Sequence, residues 1–146
     1  MGYTSIVCGV TGSAHAQKAA MEAAALAKQH NARLTYVYVV DVGSLTASIG
    51  GLSKGLAEDG LERLGGHILG YAEQLAQSQG VTPKKIVRRG AVLEVLKQVV
   101  LEEKADLLVL GHEKRTFFEK AMFKGNVEDH VQELKQQTGV EVNVVS

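Results

Sequence analysis

The chain predicts an α/β fold: a mainly parallel sheet with helices on both faces. Three observations carry this. Short apolar or β-branched runs recur at residues 4–10, 34–40, 85–88, 107–110 and 140–145. Between them lie longer stretches with apolar residues at helical spacing. The run Leu107-Leu108-Val109-Leu110, between Asp106 and Gly111, is continuous rather than alternating, as expected for a strand covered on both faces. Strand and helix patterns alternate throughout, and such alternation builds a parallel sheet.

Each element has its own reason. Residues 4–10 form a first buried strand, and Ser13 is a fair N-cap for the helix that follows. Residues 14–30 are alanine-rich, with Ala20, Ala23, Ala24 and Ala27 on one face and Met21 and Leu26 beside them. A face so small suits close packing on a sheet, and Asn31 is a left-handed cap. Residues 34–40 are rich in Tyr and Val and form the second strand. Residues 41–54 break all periodicity with glycines and serines and read as a flexible loop. A lid closing on ligand is the sharper alternative there. Leu61, Leu64, Ile68, Ala72 and Leu75 restore a helix over 58–79, weakened by Gly65, Gly66 and Gly70 and stopped by Gly80. A short third strand at 85–88 enters through Pro83. Gly90 then turns the chain into a helix marked by Val92, Val95, Leu96 and Val99. After the fourth strand, a basic linker leads to a helix within 120–137, regular from about 126. Gly139 precedes a last strand at 140–145.

Composition bounds the function. The 146 residues suit one domain. Sixteen basic residues balance sixteen acidic ones, so no net field draws the chain to nucleic acid. There is no secretory pattern at the start and no apolar run long enough to span a bilayer, so the cytoplasm is the expected location. Cys8 is alone and reads as a small buried hydrophobe. His15, His30, His67 and His130 have no metal-ligand spacing and read as surface residues.

A parallel α/β sheet binds ligands at the carboxyl ends of its strands, where strand order reverses. The loops there are 9–13, 40–54, 89–91 and 111–125. Gly111 ends a buried strand, and Gly125-Asn126-Val127 opens a helix. Two glycine corners and a helix N-terminus can cradle an anion, although plain turn and cap roles explain the same residues equally well. His112 directly after Gly111 reads as a structural or phosphate-facing donor, because no nucleophile or orienting acid pairs with it. Arg88 and Arg89 near this edge read as solvated charge. Phe117, Phe118, Met122 and Phe123 read as a cluster packing the basic linker onto the core, with an exposed partner surface as the alternative.

Residues 4–41, TSIVCGVTGSAHAQKAAMEAAALAKQHNARLTYVYVVD, resemble the first βαβ unit of universal stress proteins. Residues 88–112, RRGAVLEVLKQVVLEEKADLLVLGH, resemble their third strand, third helix and fourth strand. The resemblance implies a three-layer α/β/α, Rossmann-like sheet of five strands in order 3-2-1-4-5, of the adenine-nucleotide α-hydrolase-like kind. It also implies a stress-response regulatory module, not an enzyme, that forms a homodimer through the strand at 140–145. Gly9, Val10, Thr11 and Val40 would line an adenine or ribose pocket. Gly111, His112, Lys114, Gly125, Asn126 and Val127 would face the phosphates. The implied cofactor is AMP, ADP or ATP, the last with magnesium.

The ATP-binding members carry Gly-x2-Gly-x9-Gly-Ser/Thr after the fourth strand and usually an aspartate after the first. Here Gly111 matches, Lys114 stands at the second glycine, and Gly125 serves as the third only with a spacer one residue too long. Asn126 replaces Ser or Thr, and Thr11 replaces the aspartate. Thr11 offers a hydroxyl but cannot hold a metal as a carboxylate does. Lys114 adds bulk and a cation. Glu128 and Asp129 in the first helical turn favour the helix dipole and disfavour a polyphosphate at the same place. Three outcomes stay open: weak adenine nucleotide binding, a preference for few phosphates, or an empty site. The alternatives in function are a nucleotide-free interaction protein and a slow ATPase.

Overall fold

The computed structural model describes residues 3–10, 14–40, 54–111 and 127–145. Among the described residues nine elements alternate: β1 (Ser5–Gly9), α1 (Ala14–His30), β2 (Arg33–Val40), α2 (Lys54–Ser78), β3 (Lys84–Arg89), α3 (Val92–Glu102), β4 (Leu107–Gly111), α4 (Val127–Thr138) and β5 (Glu141–Val145). The five strands form one sheet in order β3-β2-β1-β4-β5, and every pairing is parallel. The order and class are those the sequence implied.

Two bounds differ in an informative way. α2 begins at Lys54, four residues before the expected start, because Leu56, Ala57 and Glu58 are good helix formers that carry Gly55 with them. β5 begins at Glu141, so Val140 is not part of the edge strand; it is 2% exposed and belongs to the core.

The alternation of side chains along each strand divides the core in two. On one face Ile6, Cys8, Val10, Tyr36, Tyr38, Val40, Leu107 and Val109 pack with the alanines of α1 and with Leu69, Ala72 and Ala76 of α2. On the other, Val7, Val37, Leu108 and Leu110 pack with Val95, Leu96, Val99 and Val100 of α3 and Leu134 of α4. Ala19, Ala20, Ala23, Ala24 and Ala27 are all buried, which confirms α1 as a small-faced helix laid close on the sheet. Cys8 is fully buried, and burial pushes its thiol pKa well up. Met21, by contrast, is exposed.

Three helices end in one way. Asn31 (φ 53°), Gly80 (φ 84°) and Lys104 (φ 51°) take left-handed conformations just past α1, α2 and α3. In each case the next amide reaches back five residues: Ala32 to the Ala27 carbonyl, Val81 to Ala76 and Ala105 to Val100. These bonds satisfy carbonyls that the helix end leaves open.

The amino-terminal edge of the sheet is closed by polar side chains. Asp106 accepts from the Thr4 amide (2.8 Å), the Thr4 hydroxyl (3.0 Å) and the Ser5 amide (3.1 Å). The Ser5 hydroxyl donates to the Glu103 carbonyl, and the Glu103 carboxylate accepts from Thr35 and Lys84. Tyr3 donates to Glu141 and meets the edge of His30, ring centroids 5.1 Å apart.

Candidate functional site

The opposite edge is the candidate site. In the parallel sheet Gly9 lies beside Val37 of β2 and Leu110 of β4. The ends of β1, β2 and β4 therefore come to one edge. From β1 the chain passes through α1 to β2 on one side, while β4 pairs on the other side. The order reverses between β1 and β4, and the crevice of a doubly wound sheet opens at that point. Gly9 and Gly111 flank it, both partly exposed. α4 carries the chain from the end of β4 back to the start of β5. Its 12 residues span about 18 Å, roughly the depth of the sheet. Val127, its first residue, thus stands toward the same edge.

Of the residues that the sequence nominates, Gly9, Val10, Val40, Gly111 and Val127 are thereby brought to one side of the molecule. Thr11, His112, Lys114, Gly125 and Asn126 lie outside the described residues, as do residues 41–53 and the Phe117–Phe123 cluster. Val10 and Val40 are 4% and 1% exposed, and their side chains belong to the core under α1 and α2. Their backbone is committed too. The Val10 amide donates to the Val37 carbonyl at 2.9 Å, and the Val40 carbonyl accepts from the Gly90 amide at 3.0 Å.

The glycine at position 9 has a steric reason. A Cβ there would stand 3.0 Å from Leu110 Cδ2 and 3.5 Å from Leu96 Cδ2. Gly90, at φ 141°, ties the end of β3 to the end of β2 and has Val95 against it. Reasoning from sequence put the 89–91 turn on this edge but did not nominate Gly90; its place between a strand and a helix was the available signal.

The two arginines at the end of β3 are paired with carboxylates. Arg88 meets Glu102 through two bonds of 2.6 and 2.5 Å, and Arg89 meets Glu62 of α2. The arginine hydrogen bonds hold both carboxyls below the usual range. Among the described residues, no cluster of His, Cys, Asp or Glu has the makings of a metal site. No described helix is long and apolar enough to cross a membrane.

Comparison with known proteins agrees with this architecture. No match was found among curated proteins. Solved structures do match. The universal stress protein UspA from Lactobacillus plantarum is 21% identical, with 100% of this chain and 99% of that one covered and a TM-score of 0.78. A universal stress protein solved in complex with cAMP is 24% identical, with 99% and 98% covered and a TM-score of 0.69. One from Archaeoglobus fulgidus in complex with dAMP is 17% identical, with both chains fully covered and a TM-score of 0.68. At these identities the likeness speaks for the fold. The family model described as the universal stress protein family matches residues 2–136, nearly the whole chain, and with the strand order and the resemblance of both βαβ segments it gives the conclusion: this chain belongs to the universal stress protein family.

Proposed function

We propose that this protein is a non-enzymatic regulatory module whose state is set by an adenine nucleotide held at the carboxyl edge of the sheet, between β1 and β4. The observation that supports the reading is that β1 and β4 pair side by side and end at one edge, at Gly9 and Gly111, where strand order reverses. At Gly111 a backbone without Cβ lets a ligand approach closely, and the start of α4 supplies partial positive charge. Two similar proteins were solved with cAMP and with dAMP, each carrying one phosphate. Glu128 and Asp129 in the first turn of α4 argue for the same preference, since they repel a polyphosphate. Thr11 in place of a carboxylate argues against magnesium-dependent hydrolysis. A homodimer through the edge strand β5 goes with this reading: an edge presents unpaired backbone groups to a second copy.

Calorimetric titration with AMP, ADP and ATP, with and without magnesium, tests the proposal. The expected result is binding in the order AMP, ADP, ATP from tightest to weakest, indifferent to magnesium, and a sedimenting species of twice the chain mass. Absence of heat with every nucleotide excludes the regulatory reading and leaves a nucleotide-free interaction protein. Metal-dependent turnover abolished by Lys114→Ala establishes a slow ATPase instead.

A further inference from the structure

Two tyrosines of β2 point to the same face of the sheet and differ in one respect. Tyr36, fully buried, donates its hydroxyl to the Ala20 carbonyl of α1 at 2.7 Å. Tyr38 is 3% exposed, and its hydroxyl makes no hydrogen bond among the described residues. Burial alone pushes its pKa up. A buried hydroxyl without a partner is costly, and such groups mark a place where something else completes the bond. A phenylalanine would fill the same space at no such cost.

The position says what that partner is. Tyr38 shares its face and its core cluster with Val40 and Val10, both at the carboxyl edge. It lies two residues before the end of β2, so its Cα is about 7 Å below that edge. Side chains in strands lean along the strand direction, here toward the edge. The ring is held by α2, where Gly65 leaves room for it. We propose that the Tyr38 hydroxyl hydrogen-bonds the adenosine part of the nucleotide, on the base edge or a ribose hydroxyl. This rests on the reading of the crevice as an adenine nucleotide site. The contact is made from the floor beneath Val40 and is independent of the phosphates.

The test is titration with AMP and with ATP of the wild type, Tyr38→Phe and Tyr36→Phe, together with thermal unfolding of each without nucleotide. Tyr38→Phe is expected to raise Tm without nucleotide, because the unpartnered hydroxyl is gone, and to bind AMP about 3–10-fold more weakly, the worth of one neutral hydrogen bond, with the same factor for ATP. Tyr36→Phe is expected to lower Tm and leave affinity alone. Wild-type affinity in Tyr38→Phe overturns the proposal. So does a lowered Tm in that variant, since the hydroxyl then has a partner inside the protein. A wild type that takes no AMP overturns the parent reading along with this one, and that failure is read from the wild type alone.

Discussion

In the middle of α2, Gly65 faces the sheet with the Tyr38 ring against it. A Cβ added there would stand 2.8 and 2.9 Å from Cε1 and Cγ of the ring and closer still to Cδ1, which no real packing shows. At Gly66 and Gly70 the same atom would meet nothing. The three glycines therefore respond oppositely to one substitution. Gly66→Ala and Gly70→Ala gain helix propensity and should stabilise by about 0.5–1 kcal/mol each. Gly65→Ala gains the same propensity but overpacks a buried ring, which costs about 1–3 kcal/mol, so its net effect is destabilising. Thermal unfolding of the three variants checks this; a Gly65→Ala protein as stable as Gly66→Ala shows that the ring moves aside freely. Sequence alone treats all three as helix weakeners, because propensity is local and the ring that separates them is 27 residues away in the chain. Cys8 and the α1 alanines were readable for the opposite reason: their neighbours in sequence already state the environment.

At the scale of elements, the first and fourth strands are joined at their starts by one carboxylate. Asp106 opens β4 and accepts three hydrogen bonds from Thr4 and Ser5 at the start of β1. Burial opposes its ionisation, but the bonds from Thr4 and Ser5 outweigh that and hold the carboxyl below the usual aspartate range. The sign follows. A carboxyl depressed in the folded state adds stability at pH above its unfolded value, and that stability is lost as pH falls through the folded value. Asp106→Asn should destabilise at pH 7 by about 1–3 kcal/mol, toward the lower end because the group is partly exposed. The difference from wild type should begin to shrink below about pH 4, the ordinary carboxyl value of the unfolded chain, and vanish as pH falls through the depressed folded value. Denaturant unfolding of both proteins between pH 7 and 2.5 reads it; a pH-independent difference means that shape rather than charge makes the tie. From sequence, Asp106 was only the polar residue flanking an apolar run. The helix ends show the same limit. Asn31 announced a left-handed cap and Gly80 a helix stop, whereas Lys104 takes the left-handed conformation without a residue type that favours it.

For the whole molecule, the parallel sheet could be read from the chain because alternation of strand and helix leaves few ways to cover both faces, whereas its strand order came from the family resemblance. The site was less readable. Position on an edge follows from topology, which is why Gly9, Val40 and Gly111, nominated from sequence, stand at one edge of the sheet. Which groups face a ligand depends on partners distant in sequence: Val10 and Val40 are committed to the core, and Tyr38 beneath them carries no motif. The same topology bears on cooperativity. The two core clusters lie on opposite faces yet share β1, β2 and β4, with Ile6 and Val7, Tyr36 and Val37, Val109 and Leu110 pointing alternately to each. Loosening one face frees the strands that hold the other, so the chain is expected to unfold as one domain. Leu69→Ala on the α1–α2 face and Leu96→Ala on the α3 face should each cost about 2–5 kcal/mol, since both side chains are buried. Calorimetry of each variant should give one transition, moved to lower temperature, with calorimetric and van't Hoff enthalpies equal. Two resolved transitions, one of them unmoved by the substitution, would show that the faces melt separately and that the sheet does not couple them.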